Sequence, residues 1–167
     1  MSTTPKISMI AAIGSKTRVI GTAEGKIPWH ISEDFKHFKN TTMGKPMIMG
    51  QTTFESFGGR LLPGRPHIVM TLNQNYVAPE GVFVAHSPEQ ALEIARGFDS
   101  DEIFIIGGGQ IYKLFLSMAD RLYLTVIETD IDGPAKFPEY SEVFKKVISS
   151  RRSSDENFQF EFLVLEK

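Results

Sequence analysis

Short apolar runs alternate along most of the chain with segments of helical period. Ile7–Ile13 is a mainly apolar run closed by Gly14, Ser15 and Lys16, the mark of a buried strand and far too short to span a bilayer. Gly14–Pro28 has no usable period, and at about fifteen residues it exceeds the usual connection, a length at which loops tend to carry function. Ser32 offers an N-cap for a helix over Glu33–Met43. Further strands are expected at Pro46–Met49, His67–Thr71, Val82–Ala85, Ile103–Ile106 and Arg121–Asp130, with helices at Gln51–Phe57 and Gln110–Met118. Between them Gly58–Pro66 is a turn region rich in Gly, Pro and Arg. Ser87 and Pro88 cap and open a helix to Arg96, and Gly97 stops it. Phe158, Phe160, Phe162 and Val164 alternate with polar neighbours, giving a last strand paired with Val143–Ser149 in a hairpin. Alternation of strand and helix up to residue 118 argues for an α/β fold with a largely parallel sheet, finished by antiparallel strands.

The length of 167 residues suits one domain over 1–167, with 1–6 as a polar lead-in. Apolar residues at 41% and charged ones at 23% are ordinary for a globular protein, so disorder explains no long stretch. Eighteen basic residues against twenty acidic ones leave a net charge of −2, which makes no case for a nucleic-acid or membrane partner. No cysteine is present, which rules out disulfides, a thiol nucleophile and thiolate metal sites, and suits a cytoplasmic protein.

At ~100° per residue, Ile31, Asp34, Phe35, Phe38 and Thr42 fall in one quadrant of the first helix, with Ser32, Glu33, Lys36, Lys39 and Asn40 opposite. A carboxylate on that apolar face needs a partner. Burial would raise the Asp34 pKa and the helix N-terminus would lower it, and periodicity alone leaves open a first-turn acid rotated to solvent. If it is buried, it can accept two parallel hydrogen bonds from an amidine-like ligand edge, with Phe35 and Phe38 as flat walls. His30 and His37 stand four and three residues from Asp34, but no HExxH or thiolate pattern accompanies them, and solvated histidines are expected rather than a metal site.

Gly107-Gly108-Gly109 lies between an apolar strand and a helix, where glycines admit a ligand close to the backbone and helical amides favour an anion. Tyr112 stands where GxGxxG would need its third glycine, so a plain strand–helix turn remains open. Gly50-Gln51-Thr52-Thr53 makes a second such junction, and two suit a two-phosphate ligand. Arg60 and Arg65 flank Leu61-Leu62-Pro63-Gly64, a rigid turn suited to bidentate carboxylate binding, though exposed arginines would look the same.

Taken together these pieces resemble dihydrofolate reductase of the short bacterial type: Ile7–Ala12, Val19-Ile20-Gly21, Ile27-Pro28-Trp29 with Asp34 five residues on, Ile48-Met49-Gly50 with Thr53, Leu62-Pro63-Gly64-Arg65, Ile106–Tyr112, Leu122–Thr125 and Phe137-Pro138. The resemblance covers residue 7 to about residue 165, and the set in order is specific where each piece alone is weak. It implies a central mixed, mostly parallel eight-stranded sheet with flanking helices, a monomer, and NADPH-dependent reduction of 7,8-dihydrofolate, open to antifolate inhibitors.

By the same resemblance, Asp34 would hold the 2-amino and N3 edge of the pterin and promote protonation at N5, with Thr125 supporting it. Ile27 and Trp29 would close the site. Ile10, Ala11, Phe35, Phe38, Phe57, Leu62 and Ile106 would wall the substrate, Arg65 would hold the glutamate α-carboxylate, and Arg60 would stand nearby. Ala12, Ile20 and Gly21 would meet the nicotinamide end of the cofactor, and Tyr112 would line its pocket. Gly50, Thr52 and Thr53 would take one phosphate and Gly107 to Ile111 (with Gln110) the other, across a cis Gly107–Gly108 bond.

Gln51 and Leu72 depart from the arginine and serine that many bacterial members carry at the adenosine 2′-phosphate, with Thr71, Asn73 and His86 nearby. Glutamine cannot make the charge-assisted bond of arginine, so discrimination between NADPH and NADH should weaken. The loop before Trp29 is also longer than the pattern by about two residues. Two alternatives stay open: a related pterin or pyrimidine reductase, and a non-catalytic folate- or nucleotide-binding module.

Overall fold

The computed structural model describes residues 4–21, 27–58 and 60–167. Its elements run β1 (Lys6–Gly14), β2 (Val19–Gly21), α1 (Ser32–Thr42), β3 (Met47–Gly50), α2 (Gln51–Ser56), β4 (His67–Met70), β5 (Val82–Ala85), α3 (Pro88–Arg96), β6 (Glu102–Gly107), α4 (Gly109–Phe115), β7 (Arg121–Ile127), β8 (Ala135–Lys136), β9 (Lys146–Ser154) and β10 (Gln159–Glu166). Eight strands make one sheet in the order β5-β4-β3-β6-β1-β7-β10-β9. The pairs from β5 through to β7 are parallel, and β7-β10 and β10-β9 are antiparallel. Parallel neighbours require crossovers, which helices supply except between β4 and β5, where residues 71–81 cross without one. The C-terminal ends of β1, β3 and β6 therefore collect at one edge, where α/β sheets bind ligands.

The strands expected from apolar runs are present, and β5 and α3 have the expected bounds. Ser87 accepts the Gln90 N–H as the α3 cap. Ser32 does not cap α1. It is the first helical residue, and the extended Ile31 supplies its carbonyl to the N–H groups of Asp34 at 3.1 Å and Phe35 at 3.2 Å. Ile31 is buried, so packing rather than a side-chain cap sets the helix entry.

The strand partner of β10 lies later than Val143–Ser149, because β9 is an edge strand exposed at almost every residue and has no apolar alternation to locate it. Within Gly14–Pro28, β2 pairs with β8 in a small separate sheet too short to show a period, and residues 22–26 of that stretch lie outside the described residues. The helix expected over Gln110–Met118 ends as a 3₁₀ turn at Leu116–Met118, and β7 stops at Ile127.

The core has three apolar clusters. One joins Ile10, Met47, Met49, Phe54, Val69, Phe104 and Ile106, with Phe38, Phe57 and Leu62 packed on it. Another holds Trp29 and Ile31 against Val19, Ile127, Phe160 and Phe162. These two flank α1, so Asp34 emerges between apolar masses. No described helix is long and apolar enough to cross a membrane.

Candidate active site

The two faces of α1 separate as the period predicts. Glu33 turns to the C-terminal hairpin, accepting Arg151 Nη1 at 2.8 Å and Ser153 Oγ at 2.6 Å. Asp34 turns inward, and its Oδ1 accepts the hydroxyl of Thr125 at 2.6 Å. Thr125 is buried on β7, in register with Ala12 on β1, and so carries the carboxylate to the middle of the sheet. This excludes the rotated, solvent-facing acid. Burial pushes the Asp34 pKa above the usual carboxylate range, and the Thr125 hydrogen bond opposes it with a smaller effect. Removing the hydroxyl in Thr125→Val is expected to move the titration of Asp34 further up, read by carboxyl ¹³C NMR. An unchanged midpoint would count against that bond as a control on the charge.

The expected walls separate into packed and open groups. Ile10, Phe38, Phe57, Leu62 and Ile106 sit in one cluster beside α1. Ala11 is half-buried, and Ala12 packs on the Trp29 cluster. Phe35 is 45% exposed and Ile27 58% exposed, so both present apolar surface to solvent rather than closing on the protein. His30 is exposed, its ring 5.0 Å from Phe35, while His37 packs 4.4 Å from Phe162 and is half-buried rather than solvated. The Trp29 indole N–H is buried with no protein partner among the described residues, and its residue belongs to an apolar cluster.

Arg65 is buried, its Nε donating to Pro63 O at 3.1 Å and its Nη1 to Thr42 Oγ1 at 3.2 Å. No carboxylate pairs with it among the described residues. A buried guanidinium with spare donors and no counter-charge is built to receive an anion. Arg60, by contrast, is exposed. Sequence reasoning passed over the residues that set this turn. Thr42 lay on the apolar quadrant unassigned, and its hydroxyl links Arg65 to the Phe38 carbonyl at 2.8 Å. Along the chain His67 reads only as the start of a strand, although its place two residues beyond the LPGR turn is a signal for it.

The glycine junctions lie side by side, because β3 pairs with β6 at Met49↔Gly107. A side chain on Gly50 would meet Ile111 Cγ1 at 3.0 Å, and one on Gly108 would meet Thr53 Oγ1 at 3.4 Å. On Gly109 it would come within 3.2 Å of the Lys136 carbonyl, with Ile20 next to it, so both junctions and β2 share one surface. Thr52 is exposed and Gly21 is buried in its pairing with β8. A depression of about 460 Å³ there is lined by Gly109, Gln110, Lys113 and Pro134–Lys136. A larger groove, about 570 Å³, is lined by Ser15, Lys16, Glu128 and Arg152 and contains none of the candidate substrate- or cofactor-binding residues. The Gly107–Gly108 peptide is cis, as expected. Tyr112 is buried, and its hydroxyl lies 2.7 Å from Ile10 O and 2.8 Å from Ile106 O. Burial and the Asp34 charge both raise its pKa, so it stays a neutral donor pinning β1 to β6.

At the end of β3 the departure from the family pattern is reinforced. Gln51 Nε2 donates to Glu55 at 2.8 Å, and Thr71 donates to Gln51 Oε1 at 2.7 Å. The Asn73 N–H donates to Thr71 Oγ1, and His86 Nδ1 lies 2.8 Å from Thr71 O. Leu72 is 88% exposed and supplies no polar group. A carboxylate thus stands beside the glutamine, a neighbour the sequence reading had not included.

A family model described as dihydrofolate reductase matches residues 6–167. The chain is 43% identical over 164 residues to dihydrofolate reductase type 3 of Salmonella typhimurium, covering 96% of this chain and 98% of that one. It is 39% identical over 168 residues to the dihydrofolate reductase of Bacillus subtilis (strain 168), covering 96% and 94%. Among solved structures it is similar to the Enterococcus faecalis dihydrofolate reductase complexed with NADP(H) and RAB-propyl, at 35% identity and a TM-score of 0.83, covering 96% and 95%.

Proposed function

The chain belongs to the dihydrofolate reductase family, and from that premise we propose that it reduces 7,8-dihydrofolate to 5,6,7,8-tetrahydrofolate with NADPH. The observation that carries the reading is the inward Asp34 carboxyl, half-buried and braced by Thr125 between two apolar clusters. Asp34 binds the 2-amino and N3 edge of the pterin, and its raised pKa keeps a proton near at hand for N5. Ile10, Phe38, Phe57, Leu62 and Ile106 wall the pterin and aminobenzoyl groups and exclude water, which strengthens the polar contacts inside. Arg65 holds the tail carboxylate. The exposed Ile27 and Phe35 are apolar surface that a bound substrate would cover.

The residues fit the cofactor at its nicotinamide and pyrophosphate parts: Ile20 and Tyr112 lie by the adjacent glycine junctions, near the depression at the start of α4, and Ala12 packs on the Trp29 cluster. When bound, NADPH supplies the hydride that pairs with the proton at N5. The reading has the enzyme working as a monomer in the cytoplasm and binding antifolate inhibitors at Asp34. Oxidation of NADPH that requires dihydrofolate tests it. Binding of folate and NADPH without turnover would instead favour the non-catalytic module.

At the far end of the cofactor the fit is poor, since Glu55 and Gln51 occupy each other where an arginine would serve a 2′-phosphate. NADH should therefore act as a poorer or comparable donor. The ratio of kcat/KM for NADPH over NADH is the measurement, and a preference above about a thousandfold, some 4 kcal/mol, would sink the idea.

A further inference from the structure

His67 opens β4 and is 1% exposed. Its Nε2 accepts the Leu62 N–H at 2.9 Å, and its Nδ1 lies 2.8 Å from Arg65 O. One acceptor and one donor are thus required of a single ring, which only the neutral tautomer protonated at Nδ1 provides. The two bonds reach opposite ends of the turn that carries an apolar wall residue, Leu62, and the buried cation, Arg65. The turn is further tied down by Gly64 O, which accepts the Gly44 N–H at 3.1 Å, but no other side chain bridges its two ends among the described residues.

We propose that His67 is the positioning residue of this turn: as a neutral imidazole it holds Leu62 and Arg65 in register for a ligand with an aromatic middle and an anionic tail, and on protonation it releases that register. The proposal rests on the dihydrofolate reading and adds to it a pH-dependent grip on the tail.

The physical case lies in what a second proton does. At Nε2 it faces the Leu62 N–H, so two donors oppose each other and that bond is lost. The new charge also stands beside Arg65. The paired strands present Met47 and Val82 to His67, and α2 presents the Phe54 ring at 6.3 Å, none of which titrates. Burial holds the ring below the ordinary histidine range. The Arg65 carbonyl offsets part of this, and the Arg65 charge adds to it. A folded-state pKa below the unfolded value of about 6.5 means that the unfolded chain binds more protons in the window between them. The neutral clip is therefore intact within and above that window and is lost as pH falls through the ring's own lower pKa.

The test compares Kd for folic acid with Kd for 6-methylpterin, which lacks the tail, by quenching of the single tryptophan, Trp29, across acid to neutral pH. Titration of Asp34 affects both ligands and cancels in the ratio. The tail's contribution to affinity is expected to fall about tenfold on acidification, the loss of roughly one hydrogen bond to a charged or buried group. In His67→Phe, folic acid should bind about tenfold more weakly at neutral pH with the pterin changed less than about twofold, and the pH dependence of the ratio should vanish. If that variant does not fold, long-range ¹H–¹⁵N NMR of the unmodified protein decides, with the Nδ1–H tautomer and a lowered pKa expected. A pH-independent ratio, or an Nε2–H tautomer, overturns the role of His67. Binding of neither ligand overturns the dihydrofolate reading beneath it.

Discussion

Asp34→Asn is expected to lose turnover by about 10²- to 10⁴-fold at neutral pH, the range typical of removing a positioned general acid or base. The amide keeps the shape and can still accept one hydrogen bond from the pterin edge or from Thr125, so folding and NADPH binding should persist. What it cannot do is carry a proton or balance positive charge at N5. Steady-state kinetics together with cofactor titration would check this, and full activity in the variant would remove Asp34 from the mechanism.

The same substitution should raise the melting temperature. The Asp34 pKa is pushed up on folding, chiefly by burial. Between the unfolded carboxylate value and that raised value the native state holds more protons than the unfolded chain, so stability falls as pH rises through the window. At neutral pH the buried charge is a cost that asparagine does not carry. A higher Tm at neutral pH, with the difference shrinking as pH falls through that window and gone below the unfolded pKa, is the expected pattern. A lower Tm for the variant at neutral pH would contradict it.

Arg65→Leu should raise KM for dihydrofolate by about a hundredfold, near 3 kcal/mol for a two-point charge-assisted contact, with kcat changed only a few-fold. The contact is made far from the reacting atoms and is felt alike in the ground and transition states, which raises KM rather than lowering kcat. Arg65→Lys should fall between, since an ammonium keeps the charge but not the planar fork. A pterin without the glutamate tail should show no difference between these variants and the parent. If kcat fell a hundredfold with KM unchanged, the tail-binding assignment would be wrong.

Much of this was legible in the chain because the information is local. Ser87-Pro88 and Gly97 bound α3 through adjacent backbone groups, and Val82–Ala85 is a strand by composition alone. The helical period puts Asp34 on the apolar face of α1, and the Thr125 hydrogen bond excludes the rotation to solvent that the period left open. Other features were hidden because they join distant parts. No local pattern joins Thr125 to Asp34, 91 positions away; only the resemblance named that partner, and the β1–β7 register brings the two together. β9 exposes nearly every residue, so its position depends on where β10 offers unpaired backbone. Ser32 has the right chemistry for a cap, yet the buried Ile31 sets the entry to α1.

By itself the sequence determined the α/β alternation, the order of its motifs, and a carboxylate displayed among aromatic residues, since propensity and period act over one or two turns of chain. Tertiary structure alone decided which influence on Asp34 prevails, because burial is a property of the surroundings and outweighs the Thr125 hydrogen bond here. It also decided that Arg65 is buried with no carboxylate partner among the described residues while Arg60 is exposed. The same packing places Glu55 beside Gln51 and locks His67 between the two ends of its turn. Charge and proton affinity follow from what folding brings near, and no spacing along the chain specifies that.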